Sequence, residues 1–218
     1  IARLEVLSQA IFIDMFGDPA TNPKRWLPGT VAHALEFLKY GPRFYEEPYA
    51  EKGVPVVRIT DLDRDGRLDF SAMPRYDVSE EVRRKHRLKP GDIIFARSGA
   101  TVGKTALMRE EDPECIAGAY FVHMRFKSEI DPEYACAALR MPSIQRIVAA
   151  KSRQAAQQNF SGPGIKKLPL PVPPLDLQQE FAASIREVER HKRRLLQSEA
   201  GLDALFTSLQ QRAFRGEL

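Results

Sequence analysis

Two kinds of hydrophobic spacing divide the chain. From Phe181 onward, apolar residues return in alternating steps of four and three: Ile185, Val188, Leu195, Leu202, Phe206, Leu209 and Ala213, with Lys192 and Glu199 as polar interruptions. This is the 3.5-residue repeat of a coiled-coil seam, where a polar residue weakens pairing but fixes register and partner. Prolines crowd Leu168-Pro169-Leu170-Pro171-Val172-Pro173-Pro174 and do not return after it. A helix is therefore predicted from about Asp176 to Arg215, roughly 60 Å long at 1.5 Å per residue, with Gly201 as a mild weak point. A stripe of that length exceeds what one small domain can cover, so it asks for a partner helix.

The opening residues echo the closing ones. Leu4, Leu7, Ile11 and Phe16 fall opposite Leu202, Leu205, Leu209 and Phe214 at one constant offset. Residues 1–16 are read as the tail of an earlier copy of the same helix, although two amphipathic helix ends can also agree by chance. Between the two helices the periods are shorter. Val54 to Ile59, Ile93 to Ala96 and Tyr120 to Phe126 read as strands, and Asp63-Arg64-Asp65-Gly66 as a turn. Val31 to Lys39 has helical spacing, as do Glu80 to His86 and Pro132 to Ala150, the last with a new turn at Pro142. The expected fold class is α+β: a mixed globular domain over residues 17–174, followed by a long coiled-coil-forming helix over residues 175–218.

Charge adds a location. Residues 24–174 hold 25 Lys/Arg against 19 Asp/Glu, whereas residues 175–218 hold 7 of each. The basic surplus thus belongs to the globular part, as a phosphate-facing domain requires. The two cysteines, Cys115 and Cys136, stand alone, and no Cys/His cluster suggests a metal. No apolar run reaches membrane-span length and no segment has signal-peptide character, so a soluble, cytoplasmic protein is expected.

Several segments occur in the order that characterises one family. Gly41-Pro42-Arg43-Phe44 precedes Gly53-Val54-Pro55-Val56-Val57-Arg58-Ile59-Thr60-Asp61. Leu88-Lys89-Pro90-Gly91-Asp92-Ile93-Ile94-Phe95-Ala96-Arg97-Ser98-Gly99 precedes Gly103-Lys104, and Asp131-Pro132-Glu133-Tyr134 opens a helix. Ala156-Gln157-Gln158-Asn159-Phe160-Ser161 and Ile165 to Gln179 close the domain, and Met15-Phe16-Gly17-Asp18-Pro19 enters it. In this order the chain resembles the specificity subunit of type I restriction–modification enzymes; Ala155 departs from the pattern, which has a glycine there. The family usually carries two recognition domains and two spacer helices in one chain. The resemblance thus implies a half-subunit, or the C-terminal half of a longer one. It also implies a non-catalytic chain that directs adenine methyltransferase subunits to a bipartite DNA site. S-adenosylmethionine would sit only on those partners, a restriction subunit would be a possible further partner, and a half-subunit would form a homodimer through the long helix.

The residues themselves carry little reaction chemistry. Gly99 to Thr105 approaches a nucleotide-binding loop, but the spacing between Gly99 and Gly103 is too short for a Gly-x-x-x-x-Gly-Lys-Ser/Thr cradle. Pro173-Pro174 lacks the Asn or Asp before it and the aromatic after it that an adenine methyltransferase uses. Candidate DNA contacts are Tyr40, Arg43 and Tyr45, which interleave aromatic and basic character on a glycine-marked loop, and the basic run with Arg75, Tyr76, Arg84 and Lys85. The loop residues Arg97, Ser98, Thr101 and Lys104, and the amide-rich stretch with Arg153, Gln154, Gln157, Gln158 and Asn159, complete the set. Arginine suits guanine and the amides suit adenine, although each basic residue taken singly also fits an exposed face. The expected partner-helix residues are Phe181, Ile185, Val188, Leu195, Leu202, Phe206 and Leu209. Two other readings stay open: the specificity chain of a related type II system, and a coiled-coil adaptor that binds protein alone.

Overall fold

The computed structural model describes residues 2–44, 48–63, 66–152 and 159–215. Helix α1 (Ala2–Phe16) enters the fold and helix α7 (Leu175–Phe214) leaves it. Between them, β1 (Leu35–Tyr40), β4 (Ile93–Ala96), β5 (Thr105–Leu107) and β7 (Phe121–Phe126) form an antiparallel sheet in the order β1-β7-β4-β5. A smaller sheet has the order β3-β2-β6, from β2 (Val54–Val57), β3 (Arg75–Tyr76) and β6 (Ile116–Ala117), with β2 and β6 parallel. Helices α3 (Glu80–His86), α4 (Pro132–Arg140), α5 (Pro142–Ser152) and the short α6 (Gly162–Lys166) complete the domain.

Local chemistry accounts for most boundaries. Ser79 caps α3 by accepting from the Val82 N–H, and Asp131 caps α4 by accepting from the Glu133 N–H, with Pro132 at the first helical position. Met141 separates α4 from α5, and Pro142 opens the second helix.

One expected helix is not there. Val31–Ala34 is a single turn, α2, and Leu35 to Tyr40 continues as the edge strand β1. The apolar spacing of Leu35 and Leu38 permits a helix, but pairing with β7 overrides it. A bulge between Leu35 and Phe37 realigns the strand so that Phe37 meets the His123 ring edge-on, with centroids 4.9 Å apart. Strand β2 also ends two residues sooner than expected. Ile59–Asp61 is a 3-10 turn instead, held by Asp61, which accepts from the Arg58 backbone N–H at 2.8 Å and from its Nη2 at 2.7 Å.

The main core joins both terminal helices to the sheet. Phe12, Phe16, Tyr134 and Phe181 form one aromatic node, with centroid separations from 4.8 to 5.6 Å. The buried Tyr134 Oη donates to the Pro171 carbonyl at 2.7 Å. Gln178, fully buried, accepts from the Asp131 N–H and donates to the Glu129 and Pro173 carbonyls. Its amide thus satisfies backbone groups where the proline run turns into α7. In that run, Leu168 and Leu170 point into the core, while the Leu170 and Val172 N–H groups donate to the Gly29 and Leu27 carbonyls.

A second fixed point lies inside the four-stranded sheet. The fully buried Asp92 accepts from Arg125 Nε at 2.6 Å and Nη2 at 2.8 Å, from the Lys89 N–H at 2.8 Å, and faces His123 Nε2 at 2.8 Å. Burial alone would raise this carboxyl, but the hydrogen bonds from His123 and Arg125 outweigh it and hold its pKa below the ordinary value.

Two outcomes are expected. Phe181→Ala should cost about 3–5 kcal/mol in urea unfolding, whereas Leu202→Ala, on the exposed stretch of α7, should change the dilute chain by less than about 0.5 kcal/mol. Asp92→Asn should cost about 3 kcal/mol at neutral pH by leaving Arg125 half-buried without its carboxylate. Because the folded pKa is lowered, the wild-type advantage should be complete above roughly pH 4. It should shrink as the pH falls through the folded pKa.

Candidate nucleic-acid interface

Strands β1 and β4 both run antiparallel to β7, so Tyr40 at the end of β1 and Ala96 at the end of β4 share one sheet end with Phe121 at the start of β7. The loops leaving this end bring together residues far apart in sequence. Arg97 follows β4. Its N–H donates to the Tyr120 carbonyl at 2.9 Å, and its own carbonyl accepts from the Phe160 N–H at 2.7 Å. Its Nε donates to Asn159 Oδ1 at 3.3 Å, and its guanidinium lies 4.7 Å from the centre of the Tyr40 ring. Ser98 pairs with Asn159 through a backbone bridge. Tyr40 Oη accepts from the Gly162 N–H at 3.0 Å. A side chain at Gly162 would collide with that hydroxyl, its Cβ only 2.6 Å away.

Four of the sequence candidates, Tyr40, Arg97, Ser98 and Asn159, thus form one cluster. Tyr120 joins them through its carbonyl and is itself 53% exposed. It was not singled out from the sequence. The available signal was an aromatic placed two residues after Gly118, just ahead of an alternating strand.

The remaining candidates scatter around this cluster. Thr101 lies in a 3-10 turn after β4 and donates to the Ser98 carbonyl at 3.5 Å, while Lys104 Nζ reaches the Leu62 carbonyl at 3.3 Å. The N–H groups of Val102, Gly103 and Lys104 are taken by the Gly99, Ala96 and Thr101 carbonyls, so this loop is a closed turn and not an open phosphate cradle. Arg43 is exposed on the loop after β1, and Arg84 and Lys85 are exposed on α3. Their neighbours Arg83 and Arg87 pair with Glu114 at 2.6 and 3.7 Å. Arg75 is exposed, with Nη1 donating to the Gly53 carbonyl at 3.0 Å. Tyr45, Arg153, Gln154, Gln157 and Gln158 lie outside the described residues.

Tyr76 needs a correction. Its ring is buried in the smaller core, stacked on Phe44 at 4.6 Å and met edge-on by Tyr49 at 5.5 Å. Strand alternation turns Tyr76 inward and Arg75 outward, so Tyr76 supports the loop and its ring is not offered to a ligand.

The partner-helix set is corrected in the same way. Phe181 and Ile185 are buried in this chain's own core, and Val188 is half-buried beside it. Leu195, Leu202 and Phe206 are more than 60% exposed and Leu209 is 39% exposed. The first turns of α7 therefore belong to the domain, and the later ones stand exposed. Ion pairs fix the direction of departure: Arg109 reaches Glu189 at 2.8 Å and Glu133 at 3.6 Å, and Arg193 reaches Glu111 at 2.9 Å. Burial pushes the Glu133 carboxyl up, and Arg109 counters it. A cavity of about 350 Å³ lies beside this root, between Phe12, Val102, Arg140, Phe181, Val188 and Glu189.

Both cysteines are buried and free. Among the described residues, no group of three His, Cys, Asp or Glu side chains could hold a metal ion, and no helix is long and apolar enough to cross a membrane.

Comparison with known proteins agrees with this arrangement. The family model for the type I restriction modification DNA specificity domain matches residues 26–199. The putative type I restriction enzyme MjaX specificity subunit of Methanocaldococcus jannaschii is 27% identical over 172 residues, covering 77% of this chain and 40% of that protein. The type I restriction enzyme EcoKI specificity subunit of Escherichia coli K12 is 24% identical over 175 residues, covering 76% of this chain and 38% of that protein. The crystal structure of the HsdS subunit from Thermoanaerobacter tengcongensis shares the fold with a TM-score of 0.61 at 17% identity, covering all of this chain and 52% of that one. The chain spans about two fifths of the length of these curated relatives. With an α+β domain, a 40-residue exit helix and a family match across most of its length, the chain belongs to the type I restriction modification DNA specificity domain family.

Proposed function

We propose that this chain is one reading half of a type I specificity subunit. Residues 17–174 recognise duplex DNA, residues 175–218 set the distance to a second reader, and residues 1–16 are the tail of a helix of the same kind. The observation that carries this reading is the gathering of Tyr40, Arg97, Ser98 and Asn159 at one sheet end. The root of α7 instead meets Asp131 and Arg109, which follow the opposite ends of β7 and β5. This separation supports a division of the chain into a reader and a spacer.

In this reading the chain performs no reaction. Methyltransferase subunits supply the S-adenosylmethionine and the chemistry, and a restriction subunit can join them, all in the cytoplasm where the chromosome is reached. Affinity comes from basic side chains such as Arg43, Arg75, Arg84 and Lys85 set against phosphates, and discrimination from the sheet-end loops with Arg97, Ser98, Thr101, Lys104 and Asn159. The amide-rich segment Gln154, Gln157 and Gln158, with Arg153 and Tyr45, belongs to the same proposed face. Beyond Arg193, which an ion pair with Glu111 ties to the domain, the helix runs roughly 30 Å to Phe214 at 1.5 Å per residue. Its exposed leucines and Phe206 cover themselves against a second such helix, in a homodimer when no second domain is present on the same chain.

Two measurements test this. Binding of the chain to duplex DNA should weaken with salt, the logarithm of affinity falling by about 0.9 per neutralised phosphate for each logarithm of salt. Replacing Arg84 and Lys85 by Ala should lower that slope by about 1–2 and leave base preference unchanged. No duplex binding at any salt would favour the protein-only adaptor. In sedimentation at micromolar concentration a dimer is expected, and Leu195→Asp with Leu202→Asp should convert it to monomer; a wild-type monomer would remove the pairing role of α7.

A further inference from the structure

Arg97 is held unlike the other well-anchored arginines of the fold. Arg58, Arg83, Arg109 and Arg125 each rest on a carboxylate: Asp61, Glu114, Glu133 with Glu189, and Asp92. Arg140 is taken up by the Thr105 and Gly66 carbonyls. Arg97 has only the neutral amide oxygen of Asn159 on its Nε and the face of Tyr40 against its plane. Among the described residues, no carboxylate pairs with it and neither terminal nitrogen has an acceptor. The chain nonetheless fixes it on every side. Its backbone is bonded in both directions, to Tyr120 and Phe160, and Tyr40 is itself pinned by the Gly162 N–H.

A half-buried guanidinium that is oriented but not neutralised is incomplete without a ligand carrying acceptors. The form of the constraint says which. A phosphate contact asks mainly for charge and tolerates direction, so a mobile side chain serves it well. Holding the planar fork in one orientation has value when the acceptors also lie in a plane at fixed spacing, as N7 and O6 of guanine do on the major-groove edge. We propose that Arg97 reads a guanine through its two terminal nitrogens, with Tyr40 and Asn159 as positioning residues that set the plane. The inference rests on the DNA-recognition reading above and adds the base and the residue.

Selection from a randomised duplex library tests it, using the 218-residue chain as wild type, R97K, R97A, Y40F and Y40L, each checked for an unchanged melting transition. The wild-type motif should contain a G·C pair at which R97K and R97A each lose discrimination by roughly 5- to 150-fold. R97K should keep the wild-type salt dependence, because its charge is retained. Y40F, which keeps the ring but loses its anchor on the Gly162 N–H, should reduce preference at that pair less than Y40L does, and neither should reduce it at any other position. Identical motifs for wild type and R97K would overturn the proposal. So would a loss in R97A spread evenly over all positions and restored by R97K, which would make Arg97 a phosphate contact and leave the recognition reading standing. Absence of any enriched motif with the wild-type chain would overturn both.

Discussion

The arrangement depends on one contact: the aromatic node of Phe12, Phe16, Tyr134 and Phe181. Two of its rings come from the entering helix, one from α4 and one from the departing helix. With Tyr134 bonded to Pro171 and Gln178 filling the backbone gaps around it, the node removes the freedom of both helices relative to the sheet. Burial of large aromatic surface supplies the strength. The directional bonds of Gln178 and the ion pairs of Arg109 supply the angle. The root of α7 is thus fixed by groups of both kinds.

The four-stranded sheet then separates the root of α7 from the loop cluster around Arg97. Asp92, sunk beneath Arg125 and His123, ties the entry of β4 to β7 at the sheet end opposite the loop with Arg97. Arg97 is the first residue beyond the strand. The candidate reading cluster is therefore built on strand ends, with backbone bonds to Tyr120 and Phe160 closing it from both sides. The more exposed basic residues of α3 lie outside this frame, on a seven-residue helix whose neighbours Arg83 and Arg87 are spent on Glu114. Fixed groups suit base edges and loose ones suit phosphates.

Much of this was legible in the residue order, and the failures have identifiable causes. The long helix is announced by its 3.5-residue repeat and by prolines that stop before it, and α3 and α4 by Ser79 and Asp131 as caps. Strands β4 and β7 were readable because short apolar or alternating runs bounded by turn residues leave few alternatives. Val31 to Lys39 was misread because its spacing also satisfies a helix, and only the edge of β7 decides otherwise. Tyr76 was misjudged for a related reason: a basic run looks exposed from end to end, while a two-residue strand places alternate side chains on opposite faces.

The sequence by itself determined the family, the α+β class, the presence of a long helix with a 3.5-residue apolar repeat and the pool of basic, amide and aromatic residues from which a reading surface could be drawn. These follow from periodicity, capping and motif order, which are properties of neighbouring residues. Only the tertiary structure decided that Phe181 and Ile185 serve the domain core while Leu195, Leu202 and Phe206 stay exposed. It alone joined Tyr40, Arg97 and Asn159 into one cluster. Those outcomes depend on contacts between residues more than fifty positions apart, and no local pattern encodes which distant ring or amide will meet a given guanidinium.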